Sequence, residues 1–145
     1  EFGQALKREF SNPLKKSMVR HVTATNVRGN SKNFGAQHVI DGKRTTYWAT
    51  DDNVRKASVT IELKNPQQLF RIRLREPIQL GQRIEKFTIE AMTTEGEWQK
   101  IESGTTIGPQ RILRLPGITA TSVRVTVESS ATCPLLSEIQ LYLPY

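Results

Sequence analysis

Apolar and polar residues alternate in short runs along most of this chain, and turn-forming residues interrupt the runs at close intervals. Val59-Thr60-Ile61-Glu62-Leu63 alternates cleanly and stops at Lys64-Asn65-Pro66, and residues 70–74 alternate next. Residues 87–91 follow, with Glu95-Gly96 in the turn after them, then 98–101, 112–115, 123–127 and 139–143. A period of two marks a strand with one buried face, because successive side chains point to opposite sides. Short strands separated by Gly, Pro and Asn turns predict an all-β antiparallel sandwich or jelly roll. The leading segment differs. Leu6 and Phe10 are four apart and share a helix face, and Asn12-Pro13 ends the pattern because the residue before proline avoids the α region. Residues 1–17 are therefore expected as a helical linker or tail of a preceding domain, and 18–145 as the sandwich.

With 145 residues and 37% apolar content, the chain fits one domain able to bury a core without disulfides. No run approaches the roughly 18 apolar residues of a membrane span. A single cysteine, Cys133, excludes an intramolecular disulfide and a cysteine-based zinc site. Between Thr132 and Pro134 it reads as a small buried hydrophobe. The net charge of +7 raises polyanion binding, but the basic residues are scattered, without interleaved aromatics. Arg71, Arg73 and Arg75 alternate with Phe70, Ile72 and Leu74, the pattern of the wet face of a half-buried strand. Nucleic acid is not an expected partner.

The densest motif runs from Val39-Ile40-Asp41-Gly42 through Thr45-Thr46-Tyr47-Trp48 to Asp51-Asp52. A carboxylate at a glycine turn, followed by hydroxyls, suits a hard cation held by oxygen. It suits a tightly tied loop equally well. Three long polar connections, 28–37, 50–56 and 76–83, are the places where a rigid β scaffold would carry binding residues. Asp51 and Asp52 are adjacent, and consecutive strand-like residues point apart, so they do not form the carboxylate pair of a glycosidase. They read as a loop tip, and no catalytic residue is assigned.

Several segments together carry a resemblance. Ala24-Thr25-Asn26, Val39-Ile40-Asp41-Gly42 with Thr46 and Trp48, the Val59/Ile61/Leu63 strand, Gly96-Glu97-Trp98, Val123-Arg124-Val125 and Ser137-Glu138-Ile139 with Leu141 occur in this order. The set resembles the discoidin, or coagulation-factor 5/8 type C, domain over roughly residues 20–143. Asn26-Val27-Arg28-Gly29, Thr46-Tyr47-Trp48-Ala49-Thr50-Asp51-Asp52, Leu80-Gly81-Gln82-Arg83 and Thr105-Thr106-Ile107-Gly108 look more narrowly like the C-terminal domain of α-L-fucosidases of glycoside hydrolase family 29. The resemblance implies a galactose-binding-domain-like jelly roll. It also implies a non-catalytic, carbohydrate-binding-module-like accessory domain packed in cis on a fucosidase catalytic domain, with a fucosylated glycan as ligand. A periplasmic or secreted location follows from the same resemblance. The alternatives are a purely structural domain without sugar affinity and a discoidin-type lipid-surface binder, for which the loops offer only Ile78 and Leu80.

The resemblance further implies a structural calcium. Asp41 and Thr46 would give side-chain oxygens and Glu138 a carboxylate, and the backbone carbonyls of His38, Lys43 and Ser137 would complete a shell of about six oxygens. The competing reading has Asp41 capping its own turn and Glu138 pairing with a neighbouring Arg or Lys. Trp48 is expected in the core and Trp98 over the sandwich edge. Galactose-binding relatives carry a His, an Arg and an aromatic on loops at one end; here Asn53-Val54-Arg55-Lys56-Ala57 has neither aromatic nor histidine. Glu76 stands where an arginine would be expected. The residues expected to meet a sugar are Arg55, Glu76, Gln79, Gln82 and Arg83.

Overall fold

The computed structural model describes residues 12–144, so the helix expected around Leu6 and Phe10 lies outside the described residues. Within them the strands are β1 (Val19–Ala24), β2 (Trp48–Ala49), β3 (Ala57–Gln68), β4 (Arg71–Arg75), β5 (Ile84–Met92), β6 (Trp98–Gly104), β7 (Arg111–Arg114), β8 (Thr119–Ser130), β9 (Leu135–Leu136) and β10 (Glu138–Tyr142). One antiparallel sheet has the order β1-β3-β8-β5-β6, a second the order β10-β4-β7, and β2 pairs with β9. The alternating positions do what their period dictates. Val59, Ile61 and Leu63 of β3, Phe87, Ile89 and Ala91 of β5, and Val123, Val125 and Val127 of β8 join Ile72, Leu74, Ile139 and Leu141 in one core. The all-β sandwich read from the pattern is the fold that forms.

Trp48 closes one end of this core. It is fully buried, and its indole N–H donates to the Asn26 carbonyl at 2.9 Å, which satisfies the only polar atom it carries inside. Trp98 lies half-buried on β6, the edge strand, with the Arg124 guanidinium 4.1 Å from its ring centroid. Two details depart from expectation. β3 does not stop at Lys64-Asn65-Pro66. It runs to Gln68 through a register shift against β8 between Glu62 and Gln67, and such an irregularity accommodates a proline that has no N–H to donate.

The arginine row of β4 is not a wet face. Arg71 is buried, and the side chains of Arg73 and Arg75 are only 26% and 15% exposed. The alternation is right, since Ile72 and Leu74 point into the core. The polar side is covered because Glu138 of β10 sits opposite Arg75 and pairs with both Arg73 and Arg75. Arg71 stacks on Phe70 at 4.6 Å from the ring centroid. Paired and stacked guanidiniums need less water than solvated ones.

The end of the segment expected as a linker contacts the sandwich. Residues 12–14 are already fastened to β10: Leu14 N–H donates to the Leu141 carbonyl at 2.8 Å, Leu143 N–H to the Asn12 carbonyl at 2.9 Å, and Pro13 bridges Tyr142.

One close contact gives a direct test of the packing. Gly104 lies opposite Phe87 across the β5–β6 pair, and a Cβ there would come within 2.5 Å of the buried ring. Gly104→Ala should destabilise the chain by about 1–3 kcal/mol, the usual cost of overpacking, in a urea unfolding curve. The exposed neighbour Ser103→Ala should stay within about 0.5 kcal/mol of wild type.

Candidate functional site

Four loop segments meet at one end of the sandwich, and side-chain hydrogen bonds join them. Asn26 and Asp51 bond twice: Asp51 N–H donates to Asn26 Oδ1 at 2.8 Å, and Asn26 Nδ2 donates to Asp51 Oδ2 at 3.2 Å. Gly29 N–H donates to Asp51 Oδ1 at 2.8 Å. Gly29 and Asn30 both have positive φ, 58° and 51°, and residue types that tolerate the left-handed region are the ones that can aim this amide at the carboxylate. Arg28 reaches Asp52 at 2.6 Å and, with its other nitrogen, the Cys133 sulfur at 3.0 Å. Arg83 donates to the Cys133 carbonyl at 3.1 Å and to its sulfur at 3.2 Å. Arg55 donates to the Ala131 carbonyl at 2.8 Å, and Ala131 N–H to the Arg83 carbonyl at 2.8 Å. Segment 131–133 is thus a hub that the sequence pattern did not single out. Cys133 is buried as expected, yet its sulfur also accepts from two guanidinium groups.

The five residues expected to meet a sugar fall into distinct roles. Glu76 is buried, and its carboxylate is spent on the backbone. Oε1 accepts from the N–H groups of Arg83 and Ile84 at 2.8 and 3.0 Å, and Oε2 from Gly108 N–H at 2.7 Å. This ties the 76–84 connection to residues 105–109. Arg83 turns inward to Cys133 and Arg55 lies across residue 131. Gln79, on the single turn Ile78–Leu80, and Gln82 are exposed, beside exposed Ile78 and Leu80. The structure brings Arg55 and Arg83 to one segment and leaves Gln79 and Gln82 as the outward-facing amides.

The six residues implied for calcium divide between two neighbouring places. His38, Asp41 and Thr46 form a hydrogen-bonded knot. Asp41 Oδ1 accepts from Lys43 N–H at 2.8 Å, and Oδ2 accepts from the Thr46 hydroxyl at 2.5 Å and lies 3.2 Å from His38 Nδ1. Lys43, Ser137 and Glu138 instead line a cleft of about 320 Å³ together with Gly42, Arg44, Arg73 and Arg75. Glu138 is the only carboxylate in that wall, and both its oxygens accept from Arg73, at 2.8 and 3.3 Å. Among the described residues no three His, Cys, Asp or Glu side chains group where they could hold a metal ion. A cleft with four cationic side chains and one ion-paired carboxylate repels a divalent cation, so in this arrangement the donor set does not fit calcium. The loop is held by the Asp41 knot and the Glu138–arginine pairs.

Two carboxyl groups are tuned by these bonds. Asp51 is held below the ordinary value of 3.8 first by the Gly29 N–H and then by the Asn26 amide, with Arg28 adding and burial opposing. At Asp41 burial is the largest influence and works upward. The Thr46, Lys43 and His38 hydrogen bonds outweigh it, so this group too lies below 3.8. A folded pKa below the unfolded one contributes stability above about pH 4 that is lost as pH falls through the folded value. Carboxyl-carbon NMR titration should give midpoints below 3.8 for Asp41 and Asp51. Asp51→Asn should flatten the acid limb of the stability–pH curve.

Glu76 makes a second prediction. Glu76→Ala leaves three backbone amides, two buried and one part-buried, without an acceptor. At about 1–3 kcal/mol for each unsatisfied group, the loss in urea unfolding should reach about 3 kcal/mol or more, with faster amide exchange at Arg83, Ile84 and Gly108.

Comparison with known proteins places this geometry. The profile of the F5/8 type C domain matches residues 21–139. The chain is 34% identical over 146 aligned residues to alpha-L-fucosidase 1 of Arabidopsis thaliana, covering 99% of itself and 28% of that protein. A Ruminococcus gnavus glycoside hydrolase family 29 fucosidase, solved in complex with fucose, superposes with a TM-score of 0.88 at 32% identity, over 99% of this chain and 29% of that one. A family 32 carbohydrate-binding module from a Clostridium perfringens family 31 glycoside hydrolase shares the fold, with a TM-score of 0.77 at 16% identity, over 92% of this chain and 96% of the other. The chain therefore spans under a third of the fucosidases it matches and nearly the whole of an isolated module. With the sandwich, the buried tryptophan and the tied Asp-Gly loop in place, the chain belongs to the F5/8 type C domain family.

Proposed function

We propose that the chain is the non-catalytic accessory module of an α-L-fucosidase, joined in cis to a catalytic domain and presenting its loop end to fucosylated glycans. Extent carries this reading: virtually the whole chain aligns with 28–29% of fucosidases from a plant and a bacterium. Those proteins contain this fold beside something larger. A secreted or periplasmic parent, acting on glycans outside the cytoplasm, belongs to the same reading.

The state of the carboxylates supports a non-catalytic role. A retaining glycosidase needs two carboxyl groups about 5–5.5 Å apart across a scissile bond. Here Asp51 is held by Asn26 and Gly29, Asp52 by Arg28, Glu76 by three backbone amides, Glu90 by Arg124 and Glu138 by Arg73. Each of these carboxylates is engaged by a partner within the domain. Exposed Gln79 and Gln82, with Ile78 and Leu80 beside them, offer instead the mixture of planar amides and apolar surface that a sugar's hydroxyls and ring face require.

The chain alone should show no turnover of an aryl α-L-fucoside above the buffer rate. In calorimetry with fucosylated oligosaccharides it should bind in the millimolar range, and the Gln79→Ala/Gln82→Ala double variant should weaken this about tenfold, close to 1.4 kcal/mol. A flat response to every fucosylated glycan would reduce the module to a structural role. We also read calcium as dispensable to loop closure. EGTA should shift the Tm by less than about 2 °C, under roughly 1 kcal/mol. A larger calcium-dependent rise would require the ion to displace Arg73 from Glu138 and would reinstate the metal site.

A further inference from the structure

Two hollows adjoin at the C-terminal end of β4. The first is the cleft described above, lined by Lys43, Arg44, Arg73, Arg75, Ser137 and Glu138. The second, of about 340 Å³, shares Arg44, Arg75 and Ser137 with it and continues over Glu76, Pro77, Ile78, Gln79, Pro109 and Gln110. Four cationic side chains and two carboxylates thus face this space. The carboxylates are already used. Glu138 takes the Arg73 fork, and Glu76 takes three backbone amides.

The cations are not matched in the same way. Lys43 and Arg44 are exposed, and their side chains have no carboxylate partner among the described residues. Arg75 lies 3.4 Å from Glu138 through Nε, but that buried Nε makes no hydrogen bond, and its Nη2 donates to Gln110 Oε1 at 2.8 Å. Arg75 is held below its ordinary pKa, first by burial, with Glu138 opposing and Arg73 and Arg44 pushing further down. A half-buried guanidinium crowded by two like charges is a site where an anion gains Coulomb energy without first displacing another anion. The shape is also specific. The joined hollow is concave and falls in the size range of small-ligand sites, with amides at Gln79 and Gln110, a hydroxyl at Ser137 and apolar walls at Pro77, Ile78 and Pro109.

We propose that this cleft takes one acidic sugar of a glycan, its carboxylate or sulfate held by Arg44 and Arg75 and its hydroxyls met by Gln79 and Gln110. This rests on the reading of the chain as a glycan-binding module and names a ligand class for it. It also reverses the charge expected at Lys43, Ser137 and Glu138: the position implied for a cation is an anion pocket. The sugar is favoured over an acidic peptide because the lining combines amides at Gln79 and Gln110, a hydroxyl at Ser137 and the apolar faces of Pro77 and Pro109, the mixture that a sugar's hydroxyls and ring face require.

The test is a ¹⁵N-HSQC titration of the whole chain at low salt with glucuronate, glucose, fucosyllactose, inorganic sulfate and a short glutamate peptide as separate probes. Glucuronate should shift the amides of residues 42–44, 75, 76, 78, 79 and 137–138 and bind at least about tenfold more tightly than glucose. Arg44→Gln should lose about tenfold of that affinity, as should raising the salt to about 0.5 M. Lys100→Gln, which removes the same charge on β6 in the other sheet, should change it less than twofold. Equal binding of glucose and glucuronate, binding of sulfate with no preference for the acidic sugar over it, or tighter binding of the glutamate peptide would each overturn the acidic-sugar assignment. Binding of fucosyllactose with no response to glucuronate would overturn it too, while leaving the glycan-module reading standing. Silence toward every sugar would overturn both.

Discussion

The loop end of this sandwich depends on one constraint: polar groups leaving the sheets must find partners there, because no neighbouring strand supplies them. Glu76 meets that constraint with one side chain. Its two oxygens gather the amides of Arg83, Ile84 and Gly108, from two connections far apart in sequence. Asp51 does the same for Gly29 and Asn26, and Asn26 in turn receives the Trp48 indole N–H. Each bond is modest in net worth, but an unmade one inside the protein is costly, so the loops have little freedom to rearrange. This is why residues that look like ligand-binding groups in sequence are partly structural in the fold.

Charge follows the same logic across β4 and β10. Three arginines alternate on one strand, and a single glutamate on the next strand neutralises the middle of the row. Bidentate pairing of Arg73 with Glu138 occupies the carboxylate that the discoidin resemblance offers to a metal. What remains beside it is positive charge on Lys43, Arg44 and Arg75 and a concave wall of amides and prolines. The pocket's character is therefore set by an ion pair that no short motif displays.

Much of the architecture was legible along the chain. The period of two in residues 59–63, 87–91 and 123–127 named three strands and their buried faces correctly, because one-sided burial imposes that period directly. Trp48 was correctly placed in the core. The pattern failed where local signals are weak or overruled. Pro66 suggested a strand end, but a register shift absorbed it. β2 and β9, two residues each, are too short to show any period. The arginine row read as solvated because alternation tells which side a residue faces and not what covers that side.

The expected site residues divide along the same line. Gln79 and Gln82 are exposed, as turn residues in a polar loop tend to be, while Glu76, Arg83 and Arg55 are turned toward backbone partners 7 to 76 positions away. Arg28 and Cys133 were not recognised as neighbours, since 105 positions separate them. By itself the sequence determined the strand faces, the turns and the family, because these rest on local sterics and on a periodic demand for burial. Only the tertiary structure decided which carboxylates are free, which arginines are paired and what sign of charge the cleft presents, because these depend on contacts between strands distant in the chain.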